Sequence, residues 1–102
     1  MPTATITADD IVRRYADDIG FVVDQDQATD IGGLADQLDS AAGNFATAGI
    51  NGHEDLETAS VFLTEAHHAT DDVERVVFLH KADDLLYPIV WDMTQEYRSA
   101  VA

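Results

Sequence analysis

The chain has 102 residues, 46% of them hydrophobic, with two prolines and no cysteine; 20 acidic side chains stand against five basic ones, for a net charge of -15. That length holds one core and one domain (1-102), the apolar content separates it from disordered tails, and the missing cysteines exclude a disulfide framework or a thiolate metal site. So negative a surface repels nucleic acid and anionic membranes, whose binding depends on Lys and Arg displacing counterions, and no apolar run approaches the roughly 18 to 20 residues of a membrane span.

Fifteen of the acids are aspartate and the single lysine is Lys81, against much Ala, Thr and Val, a balance that points to adaptation to a salt-rich cytoplasm. At molar salt the Debye length falls to about 3 Å, which screens the self-repulsion of such a chain. The opening MPTATITADD carries no positive charge and no apolar stretch, so a secretory signal is not expected and a cytoplasmic location is.

Residues 1-6 read as a short extended lead. Thr7 is a candidate N-cap, with Asp9 and Asp10 in the first turn where carboxylates suit the helix dipole. Ile11, Val12, Tyr15 and Ile19 then share a face with Ala8 and Ala16 beside them, which predicts a helix over 8-23; Gly20 competes as an earlier stop, and a short strand over 21-23 is the alternative. The polar run DQDQATD turns the chain. From about Gln27 to residue 47 a second helix is expected, with Ile31, Leu34, Leu38, Ala41, Ala42 and Phe45 inward. Its glycines at 32, 33 and 43 make it the weakest element in isolation, since each costs roughly 1 kcal/mol relative to alanine inside a helix, and they call for another helix packed very close.

Gly49, Asn51 and Gly52 punctuate the midpoint, and Asn51 followed by Glu54 fits a capping box opening a third helix over 52-69. Its buried side is expected to be Leu56, Ala59, Ser60, Leu63, Ala66 and His67, with Phe62 at the margin. Asp71 followed by Glu74 marks the next start, Thr70 being the alternative cap. The stretch 71-101 holds the only tryptophan and two of the three tyrosines. Val73, Val76, Val77, His80 and Tyr87 project to one side of it and Phe78, Ala82, Leu85 and Leu86 to the other. A helix apolar on both sides is normally enclosed, so this one is expected to be central. Pro88 removes an N–H and clashes one turn back, which predicts a kink there. Beyond it Ile89, Val90, Met93, Tyr97 and Val101 share a face, with Trp91 and Arg98 opposite. The fold expected is all-α: a four-helix bundle or open helical array, its last helix long and kinked at Pro88, complete alone or closed by dimerisation.

Chemistry-bearing residues are few. Glu65 and His68 form an E-x-x-H pair, in a chain that also carries Glu54, Glu57 and His53. Over these few residues the chain resembles the ferritin-like di-metal bundles, which use such a pair because positions i and i+3 bring a carboxylate and an imidazole to one ion; the resemblance implies a metal site at Glu57, Glu65 and His68, shared across a dimer. Against it, only one such pair is present, and the projection that buries Leu56 and Leu63 puts all three on the polar side. His67 and His80 project toward apolar neighbours and could move protons, but no nucleophile motif accompanies them. HHATDD (67-72) has the letters of a metal-dependent phosphohydrolase and equally those of a helix junction.

The reading that follows is a non-enzymatic, acidic protein-protein interaction or assembly module, self-associating, with Trp91, Arg98 and Tyr97 as contact residues, since Trp, Tyr and Arg dominate binding hot spots. No cofactor, metal, membrane, nucleic acid or small-molecule substrate is inferred. The alternatives are the metal-binding helical-bundle enzyme and an acidic antagonist that occupies the basic site of another protein through its aspartates.

Overall fold

The computed structural model describes residues 6–101, and within them the chain forms five helices and no strand. The extended lead expected over 1-6 falls almost wholly outside the described residues; Ile6 is buried. The first helix, α1 (Ala8–Val23), starts as a full capping box: the Thr7 hydroxyl accepts the Asp10 N–H at 3.1 Å and the Asp10 carboxylate accepts the Thr7 N–H at 3.0 Å. The Thr7 backbone N–H, and after it the Thr7 hydroxyl, hold the Asp10 carboxyl below its usual range. The helix runs straight through Gly20 to Val23, and a left-handed Asp24 (φ 55°) closes it, with the Gln25 N–H donating to the Gly20 carbonyl at 3.1 Å. Asn44 reaches over from the next helix and donates to the Val22 carbonyl at 3.0 Å.

The second helix, α2 (Ile31–Thr47), begins four residues later than the pattern suggests, because Asp30 takes the N-cap and accepts the Gly33 N–H at 2.7 Å. Gln37 pins the connection before it by donating to the Asp26 carbonyl at 2.8 Å. All six expected inward residues are buried, joined by Ala35 and Gln37. This is the helix that lies in the middle, packed against α1 on one side and, on the other, α3 (His53–His68). The centre of the fold is therefore the element read as lightest, and the stretch 71-101 is not enclosed. Small residues explain the exchange: a helix with little bulk admits two neighbours at short range, as where the His67 ring of α3 lies over Gly32.

For α3 the expected Asn51–Glu54 cap does not form. Gly52 is the N-cap at φ +107°, with no side-chain cap bond. A Cβ at Gly52 would fall 2.8 Å from the Met93 sulfur, so both the backbone conformation and the approach of the last helix require glycine there. Leu56, Ala59, Leu63 and Ala66 are buried as expected, and Ser60 donates to the Ala35 carbonyl of α2 at 2.7 Å.

The fourth helix, α4 (Asp72–Leu86), is capped by Asp71, which accepts the Val73 N–H at 3.1 Å. Arg75 then ties α4 to the end of α3: its guanidinium donates to the Ala66 carbonyl at 3.3 Å and the Ala69 carbonyl at 2.6 Å, and pairs with Asp72 at 2.8 Å. It thereby satisfies carbonyls that the helix end leaves open. Only the narrow stripe Leu79, Ala82 and Leu86 is buried.

At Pro88 the helix does more than kink. Residues 87-89 form a turn in which the Ile89 N–H donates to the Leu86 carbonyl at 3.1 Å, and a separate helix, α5 (Val90–Val101), starts beyond it. With no N–H at Pro88, the ladder stops, and α5 swings onto α1, burying Val90 and Met93. The spatial order is α4, α3, α2, α1, α5, and α4 returns to touch α1, which closes the array.

Candidate interaction face

Where α4, the Pro88 turn and α5 meet α1, a groove of about 270 Å³ is lined by Arg14, Tyr15 and Asp18 from α1 and by Tyr87, Val90 and Trp91. Positions 14, 15 and 18 share a side of α1, and the break at Pro88 lets Tyr87 and Trp91 stand over them. The floor is fixed electrostatically. The buried Tyr15 hydroxyl and the Arg14 guanidinium both donate to the Asp83 carboxylate, the latter at 2.8 Å. Burial, and then the bond to Asp83, push the Tyr15 phenol well above its ordinary range, so it remains a proton donor at every physiological pH. Asp18 is pushed upward by burial and by its neighbour Asp17, with Arg98 pulling the other way.

Trp91 is exposed, as is Tyr87. The other two expected contact residues are used inside the protein. Tyr97 is half-buried and sets its ring edge-to-face against Phe45 (5.7 Å between centroids) and Phe21 (6.3 Å). Arg98 lies over the Phe21 ring at 3.9 Å. The structure thus keeps Trp91 and the Arg98–Tyr97 pair on different neighbours. A wider, open depression at the end of α1, lined by Asp17, Phe21, Asp24, Asp26 and Tyr97 among others, holds carboxylates and aromatic rings but no nucleophile partnered with a base.

Compared with known proteins, the chain matches no family model, no curated protein and no solved structure. The residues must therefore speak for themselves. Glu57, Glu65 and His68 all lie on the exposed side of α3, and among the described residues no three His, Asp or Glu side chains converge as ion ligands. His67 is exposed, not buried. Its ring covers Gly32 of α2, 3.1 Å from where a Cβ would stand, and packs against His68 at 5.2 Å between centroids. His80 is exposed as well.

Sequence reasoning missed Tyr87 as a surface group, and with it the outer side of α4. Val73, Val77, His80, Asp84 and Tyr87 are all exposed. The signal was present in the projection, which puts four of the five together; assuming an enclosed helix sent that side to the core.

Proposed function

We propose that the chain is a small, non-enzymatic assembly module of a salt-rich cytoplasm, which associates with further copies of itself through the face where Trp91 stands. One observation carries this reading: Val73, Val77, Tyr87 and Trp91 remain 70, 47, 74 and 65% exposed although the inner positions of every helix are filled. Single apolar residues at a surface need no explanation, but two aromatics bordering one groove, in line with two valines, form the kind of patch that marks a contact site. Phe21, Val61 and Val101 are exposed as well, but only this strip sets two exposed aromatics at one groove among the described residues, and the carboxylates elsewhere oppose aggregation.

Sedimentation velocity in ~2 M KCl over a dilution series tests the proposal. A species heavier than the monomer is expected at high concentration, with Trp91→Ala moving the midpoint to at least roughly tenfold higher concentration, the loss typical of a hot-spot aromatic. A wild-type chain that sediments as a monomer throughout would overturn it.

A further inference from the structure

We infer that two copies join antiparallel along the outer side of α4, with His80 of each set against Asp84 of the other; this rests on the self-association proposed above. The exposed residues Val73, Val77, His80, Asp84 and Tyr87 are spaced 4, 3, 4 and 3 apart, the repeat that keeps one seam of a helix facing a partner helix. Among the described residues nothing covers this seam, because α4 meets α3 and α1 through its other sides: Leu79, Ala82 and Leu86 are buried, and Asp83 is held by Arg14 and Tyr15.

The seam is complementary to itself in one orientation only. In a parallel pair Asp84 would face Asp84 and His80 would face His80, in a chain already at -15. An antiparallel pair related by a two-fold axis puts an imidazole N–H against a carboxylate twice. The same register places Val77 of each copy opposite Tyr87 of the other. Trp91 belongs to α5, beyond the Pro88 turn, and borders the end of this seam through the groove it shares with Tyr87. The two aromatics and two valines offer on the order of 500 Å² per copy, about 1,000 Å² in the pair, which is the low end for specific interfaces and matches a reversible dimer.

The test is a charge swap followed by sedimentation equilibrium in ~2 M KCl. His80→Asp sets two carboxylates face to face and is expected to weaken the dimer roughly fivefold or more, Asp84→His to weaken it as well, and the double swap to return it to within about threefold of wild type. Both positions of the test are exposed, so unchanged helical circular dichroism is expected throughout. Because the chain has no cysteine, orientation is read separately. When His80→Cys and Asp84→Cys chains are mixed, a short bis-maleimide is expected to link unlike chains in preference to like ones. Dimers indifferent to the single changes, a double swap no better than His80→Asp, or preferential linking of like chains would each overturn the antiparallel seam. If the dimer survives these tests unmoved yet is lost in Trp91→Ala, the assembly proposal stands and this arrangement falls; a monomeric wild type removes both.

Discussion

Asp83 is where the ring of helices closes, and a single carboxylate does it by accepting from a buried phenol and an exposed guanidinium of α1. The pH consequence follows from the direction of the Tyr15 shift. Its folded pKa lies above the ordinary value near 10, so the unfolded chain gives up this proton more readily than the folded one. Stability from Tyr15 is therefore complete below about pH 10 and is lost as pH climbs beyond it. Tyr15→Phe is expected to cost about 1 kcal/mol at neutral pH, the usual net worth of a hydrogen bond, and to flatten the alkaline decline. Thermal melts of both proteins from pH 8 to 11 check this; parallel curves would mean the phenol does not titrate with unfolding.

At the level of the helices, the glycines of α2 divide into two kinds. Gly32 lies under the His67 ring, whereas a Cβ at Gly43 would meet nothing within 4 Å. Gly43→Ala is accordingly expected to stabilise by about 0.5 to 1 kcal/mol, the helix-propensity gain alone. Gly32→Ala should gain nothing or lose stability, because the imidazole must move off α2. Urea denaturation of the two variants measures the contrast, and equal gains would show that the His67 contact is unimportant. The same helix marks the limit of what periodicity conveys. The ends of α1, the inward set of α2 and the Asp71 cap were all legible, because each depends on neighbours within a turn. The central place of α2 was not, since small residues announce close packing without naming the partner. Nor was the Gly52 cap, which Met93 dictates from 41 positions away. Reading bulk as burial misplaced α4 in the core. At the candidate face Trp91 and Arg98 were correctly turned away from the buried side of α5, but the rings that claim Arg98 and Tyr97 belong to other helices.

For the molecule as a whole, the outstanding quantity is uncompensated charge. Two ion pairs form among the described residues, and two further cations rest on aromatic rings: Arg98 on Phe21, and Lys81 5.6 Å above both Phe62 and Phe78. Most carboxylates thus have no cation of the protein's own, within a radius of gyration of 13.3 Å. The salt adaptation we propose rests on this. Moving from dilute buffer to ~2 M KCl is expected to stabilise by several kcal/mol and to raise Tm on the order of 20 °C for a domain of this size. Circular dichroism melts at a series of KCl concentrations test it, and an unchanging Tm would remove the halophilic reading.

The meeting of Phe21, Phe45 and Tyr97 brings together rings from the first, second and last helices. Tyr97 is the last of the three to be synthesised, so a nascent chain halted before α5 lacks the ring on which the other two converge edge-to-face. The aromatic nest is thus completed only when the final helix docks, with Phe45 ending fully buried and Phe21 still partly in contact with water.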